Sequence, residues 1–340
     1  MKKAIAIGLG AALLAAIGPR AEAAEDFFKD KTIKIICAGN VGAGYDLQAR
    51  IVARHLGKHI PGNPNVIVQN MAAGAGYAAP NHVFNAAEKD GTVIGLFNRA
   101  TLFGPLLGED VAQFKVEQFN WLGSPASYQT NAYVFMIRGA LPYKTFEELR
   151  TLDKPLIVGT ANSIHVNITE EALGAKLKLI GGYQSTELDM AFERGEVDAQ
   201  GTSYANLAAF TPQWLTNNMV RILVQFGSGK RIPELKDVPT AGELARNADD
   251  KALVALSELA LTLGFPMAMP PGVPADRIEI LRAAFKATMA DPEFIADGER
   301  SKMEYSPKYH DALAADIKTI AGTPAAIADR YKKVTKGLGR

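Results

Sequence analysis

Two stretches, IKIICAGNVGAGYD (residues 33–46) and NVIVQNMAAGAGY (residues 65–77), carry the same local pattern: a β-branched run, a glycine–alanine corner, then a helical segment. β-Branched runs bounded by glycine read as buried strands, and strand–corner–helix repeats read as parallel α/β structure. The first strand is expected over Thr32 to Cys37 and the second over Asn65 to Gln69. The helix between them, Asp46 to His59, carries Leu47, Ile51 and Leu56 on one side and Arg50, Arg54 and Lys58 on another, and stops at Pro61-Gly62-Asn63-Pro64.

Working outward, the second corner leads into a helix through Ala86, and Thr92 to Phe97 reads as a third strand. The rhythm returns in Leu156 to Gly159, Lys178 to Ile180 and Val220 to Phe226. Two places change character: Trp121 to Asn131, which contains Gly123-Ser124-Pro125 and leads into the strand Tyr133 to Ile137, and Gly227-Ser228-Gly229. The Pro266-Met267-Ala268-Met269-Pro270-Pro271 run is expected to be a connecting turn before a helix from Asp276. At ~150 residues per domain, 340 residues suggest two units. The expectation is a lobe of residues 24–125 joined to 227–340, and a second lobe of residues 126–226. Ligands of open α/β sheets lie beyond the carboxyl ends of strands, here between lobes.

Residues 1–23 read as a signal peptide. Met1-Lys2-Lys3 is basic, Ala4 to Ile17 is apolar, and Ala21-Glu22-Ala23 gives the small-x-small pattern, placing cleavage near Ala23 or Ala24. The apolar run is shorter than the ~20 residues of a membrane span. Export to the periplasm follows. Net charge is +1, with 37 basic and 36 acidic residues, so no nucleic-acid partner is expected. Cys37 is the only cysteine, which leaves no intrachain disulfide, and its β-branched neighbours suggest a small buried hydrophobe.

The corners carry the candidate chemistry. Gly42, Ala43, Gly44, Tyr45 and Asp46 in the first, and Ala73, Gly74, Ala75, Gly76 and Tyr77 in the second, sit where a strand ends and a helix opens. Glycines let main chain approach a ligand and present N–H groups, and the helix start adds partial positive charge. Asp46 is placed to cap its helix by accepting from amides further on. A dinucleotide site competes poorly. Gly39, Gly42 and Gly44 give G-x-x-G-x-G rather than G-x-G-x-x-G, and no acidic residue occurs between Asp46 and Glu88 to hold a ribose. The same interval holds Arg50, Arg54 and Lys58, which suits an anion.

Arg99, just past the third strand, can pair with a ligand carboxylate or form a surface ion pair. The Thr160-Ala161-Asn162-Ser163 loop can hydrogen-bond a ligand or cap a helix. Tyr183 and Ser203 follow further strand-like runs. Asp198 reads as structural. His55 and His59 stand i, i+4, but without H-E-x-x-H they read as a solvated helix face rather than a metal site. No cofactor is expected.

The segments GAGYDLQARIVARHLGKHIPGNPNVIVQNMAAGAGYAA, DGTVIG, GGYQSTELDMAFERGEVDAQGTSY and PPGVPADRIEILRAAFKATMADPEF closely resemble the extracytoplasmic receptors of tripartite tricarboxylate transporters, the Bug family. The resemblance runs in order along nearly the whole mature chain. It implies an α/β, two-lobed, Venus-flytrap periplasmic-binding-protein fold. It also implies a monomeric solute receptor that closes on a small organic carboxylate and delivers it to membrane permease subunits. Site residues implied by it are Gly42 to Asp46, Ala73 to Tyr77, Thr160 to Ser163 and Ser203. One departure stands out: Gly74-Ala75-Gly76-Tyr77 occurs where the family usually has a double glycine, and Tyr77, with Tyr45, could narrow the cleft or stack on an aromatic acid. The alternatives are a periplasmic enzyme using Ser163 or His165 in the same cleft, and a ligand-sensing subunit of a signalling system.

Overall fold

The computed structural model describes residues 26–336 apart from 129, 161–162, 184, 302 and 304; the expected signal peptide lies outside the described residues. Eleven strands fall in chain order: β1 Thr32–Cys37, β2 Asn65–Asn70, β3 Val93–Leu96, β4 Asn120–Ser124, β5 Tyr133–Arg138, β6 Leu156–Gly159, β7 Leu177–Ile180, β8 Ala199–Ser203, β9 Val220–Phe226, β10 Met267–Met269 and β11 Lys308–Tyr309. They form two sheets, ordered β11-β4-β10-β3-β1-β2 and β7-β6-β8-β5-β9. In the first, β2, β1 and β3 run parallel, while β10 is antiparallel to β3 and β4. In the second, β7, β6 and β8 run parallel and β5 is antiparallel to β8 and β9.

Burial follows the sequence pattern. Ile33, Ile35 and Cys37 are fully buried, as are Ile51, Val52 and Leu56 of the helix Gly44–Leu56 that packs behind them. Leu47, expected on that inner face, is exposed, because it lies in the first turn beside the open corner. β2 alternates exposed and half-buried residues as an edge strand does. No helix among the described residues is long and apolar enough to cross a membrane.

Two expectations are corrected. Pro266 to Pro271 is not merely a turn: Met267, Ala268 and Met269 are fully buried and form the strand joining β3 to β4. The flanking prolines have no N–H with which to extend the ladder, although the Pro266 carbonyl accepts from Phe97 N at 2.9 Å, so the strand stays three residues long. The return to the first sheet also comes later than Gly227. Ile232 and Leu235 pack with Val134, Met136 and Trp214 beneath the second sheet. Gln225 bonds the carbonyls of Leu235 and Val238 at 2.8 and 2.7 Å. Arg246 bonds the Ala172 and Glu171 carbonyls, at 3.2 and 2.7 Å. The chain goes back through Gly264, at φ +63°, and Phe265, whose amide donates to Ala126 O and Ser124 Oγ. Residues 227–262 thus extend the second lobe.

The last helix, Ala325–Lys336, touches both lobes. Tyr331 stacks on Phe103 at 5.3 Å, and Asn167 Nδ2 donates to Val334 O at 3.0 Å.

Candidate functional site

Parallel pairing decides where the corners go. Cys37 at the end of β1 is level with Asn70 on β2 and Leu96 on β3. Both glycine corners and the segment carrying Arg99 therefore leave one edge of one sheet, side by side. Asn70 fastens them: its Nδ2 donates to Gly39 O at 2.8 Å and to Asp46 Oδ1 at 2.9 Å. Asn70 was not among the residues expected to form the site, although an amide side chain ending a strand before a glycine corner is a readable signal.

Asp46 does not cap its helix as expected. It lies inside the first turn, Ala43 occupies the N-cap position, and the carboxylate turns back to accept from Gly42 N at 2.9 Å and from Arg50 Nε at 2.9 Å. The Arg50 bond foremost, with the Gly42 and Asn70 amides, holds this carboxyl down at about 2. The Gly42 amide is thereby taken. The amides of Gly44, Tyr45, Gly74 and Ala75 open helical turns, where the first N–H groups have no partner within the helix. In the second corner Gly74, Ala75 and Gly76 all have positive φ (62°, 55° and 92°), a left-handed path that turns successive amides to one side.

The positive run expected to serve an anion is otherwise engaged. Arg54 pairs with Asp297 at 2.8 Å, and Lys58 pairs with Asp291 at 2.6 Å and Glu293 at 2.5 Å; Glu293 and Asp297 lie on the helix Pro292–Arg300 and Asp291 caps its start. His55, Asp291 and Glu293 place ligand atoms within 4.8 Å of one another, but the Lys58 ammonium already sits between the two carboxylates where a metal cation would go.

A cavity of about 1190 Å³ lies between the lobes. Of the expected residues it gathers Ala75, Tyr77, Arg99, Ser163 and Ser203. Gly42 to Asp46, Ala73, Gly74, Gly76, Thr160 and Tyr183 are not in its wall, and Asn162 lies outside the described residues. Gly42, Ala43 and Gly44 are solvent-exposed beyond its rim. Neither tyrosine stands free as a stacking platform. Tyr77 is buried, lies against Phe114 and donates its hydroxyl to Glu109; burial and that carboxylate raise its pKa. Tyr45 packs edge-on to Phe265 at 4.9 Å, and its oxygen accepts from Arg99 N at 3.2 Å.

Arg99 is different. Its guanidinium lies 5.4 Å from the Tyr128 ring centre, and no carboxylate among the described residues pairs with it. Across the cavity, Thr160 Oγ1 accepts from Ser163 N at 3.2 Å, so Thr160 braces the loop. The Ser163 hydroxyl is buried without a formed hydrogen bond, beside the Tyr133 phenol. Ser203 Oγ accepts from Asn131 Nδ2 at 3.1 Å, and Asn131 Oδ1 accepts from Ala132 N and Ala205 N, which fixes the start of β5. His165 packs between Tyr133 and Phe226, with Nε2 3.3 Å from Ser257 O; burial, and then the charge of Arg99, push its pKa down to about 3. It is neutral at physiological pH. Asp198 is structural, accepting from Ile157 N at 3.0 Å.

No family model matches the chain. A protein of Agrobacterium vitis, the UPF0065 protein in the TAR-I ttuE-ttuC' intergenic region, is 24% identical over 339 residues, covering 96% of this chain and 88% of that protein. A TctC solute binding protein from Polaromonas superposes with a TM-score of 0.69 at 22% identity, covering 91% of this chain and 99% of that one. The fold is that of a two-lobed periplasmic binding protein. The periplasmic binding protein BugD (TM-score 0.56, 19% identity, 92% and 99% covered) has this fold as well. So does a Rhodopseudomonas palustris protein solved with adipate (0.55, 16%, 91% and 97%). In this binding-protein frame the cavity occupies the interlobe cleft, between the corner-bearing edge of one sheet and the Ser163 and Ser203 ends of β6 and β8.

Proposed function

We propose that the chain is an extracytoplasmic solute-binding protein of the tripartite tricarboxylate transporter type, exported to the periplasm, where it captures a small organic carboxylate without transforming it. The observation that carries this reading is Arg99: a guanidinium with no carboxylate partner among the described residues, in the wall of the interlobe cavity, next to corners whose helix-opening amides face the same edge. A carboxylate placed there gains charge-assisted hydrogen bonds and the positive end of a helix. The adipate held by one fold relative and the names of the TctC and BugD relatives point the same way.

Ligand capture would draw the lobes together about the two crossings, residues 125–132 and 263–266, in a hinge motion. Release would be to membrane permease subunits, with the receptor acting as a monomer. A hydrolytic role for Ser163 and His165 fits less well, because burial pushes the His165 pKa down to about 3 and leaves the imidazole a weak base.

The test is thermal unfolding of the mature protein with mono-, di- and aromatic carboxylates, alongside sugars and amides. A carboxylate at a hundredfold excess over Kd should stabilise by ~2.7 kcal/mol. Arg99→Met should abolish that shift while leaving the unliganded midpoint within a few degrees. Stabilisation by uncharged solutes alone would overturn the proposal.

A further inference from the structure

Ser203 holds the N-cap position of the helix Tyr204–Phe210, where a serine hydroxyl ordinarily accepts from an amide of the first turn. Here it makes no capping bond. The Asn131 side chain takes that place from just before β5: its Oδ1 accepts from Ala205 N at 3.3 Å and from Ala132 N at 2.8 Å. Tyr204 N donates to Ala132 O at 2.8 Å. The opening of this helix is therefore fastened to the segment leading into β5, and the Ser203 hydroxyl is released from capping.

The chemistry of these groups fixes the direction of the remaining bond. Two main-chain amides can only donate, so the oxygen of the Asn131 amide faces them and its nitrogen faces Ser203. That nitrogen can only donate in turn, so Ser203 Oγ accepts, at 3.1 Å. The hydroxyl proton of Ser203 is left over, and no acceptor among the described residues takes it. Ser203 stands in the wall of the interlobe cavity, while Asn131, 8% exposed, lies behind that wall. A hydroxyl whose lone pair is engaged from behind has its proton to offer in front.

We infer that Asn131 is a positioning residue for capture, which relieves Ser203 of capping and turns its hydroxyl proton into the cavity as a preset donor to the ligand carboxylate. The inference rests on the carboxylate reading above and adds the residue that sets the donor's direction. A donor oriented beforehand needs less ordering when the ligand arrives. A purely structural Asn131 would be replaced equally well by aspartate, whose carboxylate accepts from the same two amides. Asn131→Asp also accepts from Ser203, however, and so draws the hydroxyl proton away from the cavity.

The experiment is calorimetric titration of the mature protein with acetate, benzoate and adipate. It is made on wild type, Ser203→Ala, Asn131→Asp and the double variant, with a melting midpoint recorded for each. Ser203→Ala should weaken the tightest of the three about tenfold, the span of a hydrogen bond to a charged group. Asn131→Asp should weaken it at least as much, with an unliganded midpoint within a few degrees of wild type. Its new charge repels an anion whether or not the hydroxyl is present, and the double variant separates that effect. In the Ser203→Ala background the loss from Asn131→Asp should be smaller by about threefold or more. Equal losses in both backgrounds, or undiminished affinity in Ser203→Ala, would overturn the inference and leave the carboxylate reading standing; the second result decides even if Asn131→Asp does not fold. If wild type binds none of the three, both fall.

Discussion

Replacing Asn70 by alanine tests whether one amide side chain holds the two glycine corners together. Its Nδ2 makes a bond of 2.8 Å to the Gly39 carbonyl and one of 2.9 Å to Asp46, a carboxylate that is 2% exposed. A neutral bond contributes about 1 kcal/mol and one to a buried charge about 2, so Asn70→Ala should cost about 3 kcal/mol. That is a large share of a total stability of about 5–15 kcal/mol, yet the fold should survive, since Asp46 keeps Arg50 and Gly42. Urea unfolding at pH 7 would show a lower midpoint at an unchanged slope. Asn70→Asp sharpens the test. It sets a second carboxylate against Asp46, and Arg50, whose side chain is 45% exposed, compensates only weakly through solvent. Asn70→Asp should therefore be less stable than Asn70→Ala at pH 7 and regain ground as the pH falls towards 4, where the new acid takes up a proton and can donate. An alanine variant within about 0.5 kcal/mol of wild type, or an aspartate variant no worse than alanine at pH 7, would refute the reasoning.

Three further outcomes follow from single positions. Ala75 holds φ 55°, a left-handed conformation costing about 1–2 kcal/mol without glycine, so Ala75→Gly should be neutral to about 1 kcal/mol stabilising after the added freedom of its unfolded chain, read as a melting-temperature gain. A Cβ on Gly264 would lie 1.6 Å from the Ala126 carbonyl oxygen at φ +63°, whereas one on Gly229, at φ +72°, meets open space. Gly264→Ala should cost about 2–5 kcal/mol and Gly229→Ala only about 1–2, and equal melting losses would show that the interlobe crossing is not tightly packed. Glu258, buried and accepting from Gly227 N at 3.1 Å, has its pKa pushed up by burial from 4.5 to about 7. The folded carboxyl keeps its proton to about pH 7 while the unfolded one loses it near 4.5, so stability should fall as pH rises through that window, by on the order of 3 kcal/mol. Glu258→Gln should flatten the slope and gain most at pH 8; an unchanged slope in urea titrations from pH 4.5 to 8 would assign the effect elsewhere.

Much of the frame was legible because it rests on local rules. The boundaries of β1, β6 and β9 agree with the β-branched runs, and the helix after the first corner starts two residues before the expected Asp46. β10 was not legible. Three residues between prolines carry no periodicity, and only burial between β3 and β4 makes Met267–Met269 a strand. Within the site, Arg99 could be picked out by its place after β3, but Asp189, Glu193 and His165 reach the same cavity from the other lobe through contacts that no spacing encodes.

By itself the sequence determined the α/β rhythm and the two glycine corners at strand ends, because strand and helix periods and glycine freedom act within a few residues. Tertiary structure alone decided which charges remain for a ligand. Arg50, Arg54 and Lys58 look equivalent to Arg99 along the chain, yet each meets a carboxylate, Arg54 and Lys58 on a helix more than two hundred residues away, and Arg99 meets none among the described residues. Ion pairing depends on distance in space, and that distance exists only once the sheets have formed and packed.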